Sequence, residues 1–252
     1  MKTLKNKKGI GMVLNLIPTN NILIQIRGIK NMRDGHHLNS KYWQNWKKRQ
    51  LGMSKELYEI AFGMVLSDAG MSRKSNEAMI KFEQRANQKD FLYHLFTIFK
   101  AYCFMMEPGI RYHSKGPLEG QIKSYWFKTF SHQTFSELWD LFYSNTNTKS
   151  IQSGIIFNNI SNIGLAYWIM GDGSLHREGR ILSLHTQSFG YEGSKIISEE
   201  LNVKFGLNSR VVSHKNKYWI IQFSSQDANK LHDMIKPYLI SSMNYKLPRY
   251  IS

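Results

Sequence analysis

The chain has 252 residues, 42% hydrophobic and 13% aromatic, enough for one large core or two small ones and too apolar for a wholly disordered polymer. Its formal net charge of +16 favours a polyanionic partner, nucleic acid before an anionic membrane surface. The single cysteine, Cys103, excludes an internal disulfide framework or a cysteine-built zinc site, and reads as a small buried apolar residue.

Residues 1–55 carry twelve Lys or Arg against one acid, Asp34, and read as a basic N-terminal extension. This segment is lysine-rich with no serine before Ser40, which argues against a mitochondrial transit peptide. Asn15, Pro18, Asn20, Asn21 and Gln25 interrupt the stretch from Gly9 to Ile26, so no membrane span of roughly 20 apolar residues is expected there. His36 and His37 have no spaced Cys or His partners and read as a solvated loop rather than a metal centre. Residues 41–49 interleave aromatics with bases. They fit a DNA-contacting arm, though an amphipathic helix packed on the core has the same pattern.

From there the chain repeats itself. Ala61 to Gly70 is an apolar, helix-compatible run closing on Asp68, and Leu165 to Gly173 is another closing on Asp172. Strand-like segments follow each acid, Met79 to Gln84 and Leu182 to Ser188, making Gln84 and Gln187 rough equivalents. Helices are expected over Phe91 to Tyr102 and Tyr191 to Phe205, with half-buried strands around Phe127, Phe130, Ile220 and Phe223. Ser131, Gln133, Leu138 and Asp140 recur as Ser224, Gln226, Leu231 and Asp233 with identical offsets. The first half is longer, and the Gly and Pro between His113 and Lys123 place a longer hairpin loop there. Helices and strands alternate without βαβ spacing, which argues for α+β with antiparallel sheets, able to leave one face open to a ligand.

An acid at a helix C-terminus opposes the helix dipole, so something positive should compensate it. If the two apolar helices pack about a pseudo-two-fold axis, Asp68 and Asp172 converge, and two close carboxylates call for a hard cation such as Mg²⁺. Phe62-Gly63 and Ala166-Tyr167 occupy equivalent positions, and are expected to exchange bulk and gap across that interface.

The two runs resemble degenerate copies of the LAGLIDADG motif, through Gly63 and Asp68 in the first and Leu165, Ala166, Asp172 and Gly173 in the second. Departures are Ala69 in place of Gly, Tyr167 in place of Gly, and Ser67 or Gly171 just before the acid; neither acid is lost. The second half is most similar to the single-chain, two-motif members of fungal mitochondrial introns. Leu165 to Trp168, Thr186 to Phe189, Ile235 to Leu239 and Tyr245 to Pro248 carry that likeness.

The resemblance spans roughly residues 57–249 and implies two αββαββα units, 56–150 and 151–252, whose saddle-shaped sheets lie on double-stranded DNA. It implies a monomeric homing endonuclease that cuts both strands across the minor groove of a long asymmetric site. Mg²⁺ would be the cofactor, with Mn²⁺ substituting and Ca²⁺ supporting binding without cleavage. Asp68 and Asp172, with the carbonyls of Ser67 and Gly171, would hold metal; Lys149 and Lys246 would assist catalysis. Gln84 and Gln187 would orient water or phosphate, with Lys81 and His185 as neighbouring substitutes. Outward-facing strand residues would meet the DNA: Arg73, Lys74, Arg111, Lys123, Lys128, Arg177, Arg180, Arg210, Lys215 and Lys217. An organelle-encoded, mitochondrial origin follows from the same likeness. An intron maturase binding intron RNA on this scaffold, or a DNA-binding module without catalysis, is the competing expectation.

Overall fold

The computed structural model describes residues 40–74, 76–143 and 148–250. The expectations for Gly9 to Ile26 and for His36 and His37 lie outside the described residues. The chain divides after Trp46. In the first unit, residues 40–46 begin helix α1 (Lys41–Lys48), and Trp43 makes edge contacts with Tyr42 and Trp46. In the second unit, Lys47 is only 5% exposed and donates to Glu77 at 2.7 Å and Ser131 at 3.1 Å. The stretch whose pattern fits a DNA-contacting arm or an amphipathic helix forms a helix, and one of its bases is spent on an ion pair with Glu77.

The second unit runs α2 (Lys55–Leu66), β1 (Gly70–Lys74), β2 (Glu77–Arg85), α3 (Lys89–Phe99), β3 (Gly109–Tyr112), β4 (Ile122–Lys128) and α4 (Ser136–Tyr143). After a short α5 (Ile155–Asn159) the succession repeats. It comprises α6 (Asn162–Asp172), β5 (Gly173–Leu175), β6 (Leu182–Leu184), α7 (Gly190–Phe205), β7 (Ser209–His214), β8 (Tyr218–Phe223) and α8 (Ala228–Ile235). Both sheets are antiparallel, ordered β1-β2-β4-β3 and β5-β6-β8-β7. The α+β fold of two αββαββα units is thus present. Leu138 and Leu231, paired in the sequence repeat, are both fully buried on the closing helices α4 and α8.

Local chemistry starts the two motif helices in the same way. The Ser54 hydroxyl accepts from Leu57 N and the Ser161 hydroxyl from Gly164 N, each at 3.2 Å, which satisfies a free helical N–H at each start. Beyond the caps, Ile60 to Leu66 and Ile163 to Met170 are buried on every side. A helix apolar all round has to lie between other layers, and here the two lie against each other.

That contact is backbone to backbone. A Cβ placed on Gly63 would stand 2.1 Å from the Gly164 carbonyl oxygen, and one on Gly171 would stand 2.4 Å from Ser67 Oγ. The expected exchange between Phe62-Gly63 and Ala166-Tyr167 is corrected accordingly: Gly63 faces Gly164. The two bulky residues point elsewhere, Phe62 against Phe142 and Tyr167 onto α3, where its hydroxyl meets His94 Nε2 at 2.7 Å. Two helix axes brought this close leave no room for large side chains between them.

Each sheet turns one face to the helices. Along β2, Ala78, Ile80, Phe82 and Gln84 point inward, while Glu77, Met79, Lys81, Glu83 and Arg85 form the open face. The β3–β4 loop, residues 113–121, is longer than the β7–β8 loop, residues 215–217, as the Gly and Pro content predicts. The shorter loop holds Lys215 and Asn216 at φ of 54° and 52°, the left-handed pair at the centre of a tight turn that Lys217 N–H closes onto His214 O at 3.3 Å. Cys103 is buried as expected, with its thiol pushed up to about 12 by burial. Among the described residues no helix is long and apolar enough to cross a membrane.

Candidate active site

The C-terminal ends of α2 and α6 meet, and with them the two acids. Asp172 is the last residue of α6, and Asp68 follows Ser67, the cap of α2. A Cβ on Gly171 would lie 3.6 Å from Asp68 Oδ2, so the residue preceding one acid touches the other. Burial pushes the Asp172 carboxyl up to about 7, and the Asp68 charge adds to the rise against the opposing charges of Lys149 and Lys246.

Two lysines supply the positive charge that helix ends bearing acids demand. Lys149 Nζ donates to the carbonyls of Val65, Ser67 and Ala69, the last two at 3.3 Å. Lys246, 6% exposed, donates to Met170 O at 2.5 Å and Gly171 O at 2.8 Å. Each ammonium thereby caps the negative end of one motif helix. Burial pulls both lysines down to about 8, with the two aspartates pulling the other way. Lys149 lies 84 residues from Val65 in sequence and Lys246 lies 76 from Met170, so only the folded chain brings them together.

The donors gathered here are oxygens: two carboxylates and the carbonyls of Ser67 and Gly171. Among the described residues there is no group of three or more His, Cys, Asp or Glu placed to hold a metal ion. An all-oxygen set whose half-buried Asp172 carboxyl resists ionisation suits a hard divalent cation, which would offset the desolvation of its charge. Each carbonyl that accepts from a lysine retains a second lone pair.

The glutamines behave differently in the two halves. Gln84, 4% exposed on β2, donates from Nε2 to Asp68 Oδ2 at 3.0 Å. Gln187 does not do the same, because β6 stops at Leu184 and residues 187–189 form a 3-10 turn. Its amide lies 3.1 Å from His185 Nδ1 instead. His185 is tied to the second acid through the main chain: its backbone N–H donates to Asp172 O at 3.1 Å, while its ring Nε2 lies 2.9 Å from Ser174 Oγ. Burial holds the His185 ring below its ordinary value, and His214 and Lys246 add to the effect.

The bases expected to meet DNA are not all placed alike. Lys81, Arg111 and Lys128 stand on the open face of the first sheet, and Lys74 is the last residue of β1. Arg210 occupies a cross-strand row on the second sheet, Ser174–Ser183–Gln222–Arg210. Arg177 and Arg180 are exposed between β5 and β6, and Lys215 and Lys217 in the β7–β8 turn. Arg73 is engaged elsewhere, since it lies on the helix-facing side and pairs with Asp140 at 2.5 Å. Lys123 is exposed but stands opposite the irregularity between Arg111 and Tyr112, out of step with the open face.

Three side chains on these faces escaped the sequence reading: Glu83, Trp126 and His176. Glu83 pairs with Lys81 at 2.7 Å and Arg111 at 3.2 Å. His176 Nε2 lies 3.2 Å from both Ser183 Oγ and Gln222 Nε2. The period-two alternation of β2, carried past Lys81, puts Glu83 on the same face and was the signal available for it.

Comparison with known proteins agrees with this geometry. The sequence signature of the LAGLIDADG DNA endonuclease family matches residues 58–231. "Probable intron-encoded DNA endonuclease 3" of Mycosarcoma maydis is 62% identical over 135 residues, covering 52% of this chain and 98% of that protein. "Probable intron-encoded endonuclease 1" of Wickerhamomyces canadensis is 31% identical over 216 residues, covering 83% and 91%. Among solved structures, the homing endonuclease I-WcaI bound to its DNA recognition sequence superimposes with a TM-score of 0.80 at 29% identity, covering 88% of this chain and 99% of that one. The chain is a member of the LAGLIDADG DNA endonuclease family.

Proposed function

We propose that the chain is a site-specific homing endonuclease that hydrolyses both strands of a long, asymmetric DNA target, acting as a monomer with Mg²⁺. The observation that carries this reading is the pairing of Asp68 and Asp172 at two helix ends that touch, each end capped by a lysine, Lys246 buried and Lys149 half-buried. One chain contains both halves of the site, so no second copy is needed to complete it.

Asp68, Asp172 and the carbonyls of Ser67 and Gly171 would hold the divalent ion. When bound, Mg²⁺ supplies charge neutralisation at the phosphate and a lowered pKa for water. Lys149 and Lys246 add positive charge beside the phosphate, and an ammonium held near 8 can give up or take a proton close to neutral pH. Gln84 fixes the orientation of the Asp68 carboxylate from the neighbouring strand. The open sheet faces grip the duplex through Lys81, Arg111, Lys128 and Arg210, and the exposed bases of the β5–β6 and β7–β8 turns extend that grip. Intron-encoded fungal relatives support an organellar intron as the origin of the reading frame.

The test uses the joined exon sequence flanking the reading frame as substrate. Purified full-length chain is expected to linearise a plasmid bearing that sequence with Mg²⁺ or Mn²⁺, and to bind it uncut with Ca²⁺. Binding without cleavage under every divalent ion would overturn the nuclease reading, and rescue of splicing of the cognate intron RNA would favour a maturase.

A further inference from the structure

We propose that Arg111 reads a guanine in the major groove, and that Glu83 and Trp126 are positioning residues that hold its guanidinium in the reading orientation. The inference rests on the DNA-binding reading above and deepens it by naming a base and the side chain that selects it.

Gly109, Arg111, Glu83 and Trp126 share the open face of the first sheet. Gly109 is the cross-strand partner of Trp126, and Arg111 that of Ser124. A Cβ on Gly109 would lie 2.6 Å from Trp126 Nε1 and 2.7 Å from Cε2, so the indole is laid across the glycine backbone. Any side chain at 109 would lift the ring. Over that ring lies the Arg111 guanidinium, its Cζ 5.4 Å from the ring centroid.

Glu83 supplies the second restraint. Its Oε1 accepts from Ser124 Oγ at 2.6 Å and pairs with Arg111 Nε at 3.2 Å, while Oε2 accepts from Lys81 Nζ at 2.7 Å. With both oxygens engaged, Glu83 has little capacity left to accept from a base, so its role is to brace. Burial of Glu83 raises its pKa, but the hydrogen bonds from Lys81 and Ser124 and the charges of Lys81 and Arg111 outweigh this and keep it below the ordinary carboxylate range. The brace therefore stays charged at the pH at which DNA is bound.

Arg111 is gripped by its Nε edge and one ring face. Among the described residues its two terminal nitrogens meet no acceptor, and the side chain is 48% exposed. A planar pair of donors presented in fixed orientation matches the O6 and N7 acceptors of guanine, whereas a phosphate contact needs no such fixing. An acid between the two bases also disfavours a phosphate at this spot, because it repels the same anion that Lys81 and Arg111 would attract.

The experiment selects binders from duplexes of random sequence in Ca²⁺, with the wild-type chain and with Arg111→Ala, Arg111→Lys, Glu83→Ala and Trp126→Leu, each checked for an unchanged melting temperature. Wild-type chain is expected to require guanine at one position in the segment bound by the first sheet. Arg111→Ala should lower discrimination there by about ten-fold or more, the range set by loss of a bidentate contact, with other positions unmoved. Arg111→Lys keeps the charge but not the fork, and should fail to restore it. Glu83→Ala and Trp126→Leu should relax the same position by a smaller factor. A uniform loss of affinity in Arg111→Ala with an unchanged profile would overturn the inference by making Arg111 a phosphate contact. So would a relaxed position whose preferred base is not guanine, or a Glu83→Ala profile identical to wild type. A wild-type chain that selects no sequence at all would overturn the DNA-binding reading as well.

Discussion

In the first half the sheet core is aromatic, with Phe82 stacked on Phe127 at 4.6 Å and tilted against Phe99 at 4.8 Å, and β2 runs for nine residues. In the second half the corresponding core is mainly aliphatic, Leu182, Leu184, Ile197, Leu201 and Ile221, and β6 runs for three. Their open faces differ as much. The first is laced by ion pairs among Lys81, Glu83 and Arg111, the second by hydrogen bonds among His176, Ser183, Gln222 and Arg210. Yet the two helix ends are almost alike, each with an acid, a small or glycine residue before it, and a lysine on its carbonyls. Topology and the helix-end chemistry have to match because both halves use the same contact; on the proposed DNA-binding reading the two surfaces would face different base pairs and so be free to diverge.

The strongest way to break the likeness at the helix ends is to remove one acid. Asp172→Asn and Asp68→Asn are each expected to reduce double-strand cleavage by at least about 10³-fold, about 4 kcal/mol, while Ca²⁺-supported binding stays within a few-fold. Quantifying nicked and linear plasmid separates the halves: accumulation of linear product by either variant would show that the acids do not act as a pair. Next in size is the shared contact itself. Gly63→Ala puts a methyl where the Gly164 carbonyl stands and is expected to cost about 3 kcal/mol in urea unfolding. An unchanged midpoint would mean that the two helices can separate without loss.

A third comparison uses pH without metal. The Asp172 carboxyl is raised from 3.8 to about 7, so its contribution to stability is present below about 4 and is lost as pH rises through 7. Lys149 and Lys246 are lowered from 10.5 to about 8, so stability recovers as pH climbs from 8 towards 10.5. Melting in chelator should therefore show a trough between about 7 and 8 that Mg²⁺ fills and Asp172→Asn makes shallower; a profile identical in wild type and variant would refute the pairing of these charges. The smallest expected effect tests where the halves part company. Gln84→Ala should slow cleavage about ten-fold through loss of the bond to Asp68, whereas Gln187→Ala should change it by less than about two-fold. Equal losses would restore the equivalence that the end of β6 at Leu184 removes.

Much of the fold could be read from residue order because its signals are local and occur twice. The serine caps, the apolar runs and the alternation along β2 each act within a few residues, and duplication turned weak patterns into a pair of units. Asp68 and Asp172 were legible for the same reason. Lys149 and Lys246 were expected only through family likeness, since nothing near either lysine signals a role. Gln187 was misplaced because repeat spacing cannot show that a strand ends three residues early. The bulk-and-gap exchange failed because equivalence under a two-fold axis says which residues correspond, not which ones touch.

Residue order alone therefore fixed the duplicated topology, the basic surface and the two acids, all products of short-range propensity and composition. Folding in three dimensions decided the rest: that Gly63 meets Gly164, that two lysines from outside the motif helices cap them, and that Trp126 lies across Gly109 beneath Arg111. Each of these depends on strand register and helix approach, which are set by packing summed over the whole unit and so are written in no single segment of the chain.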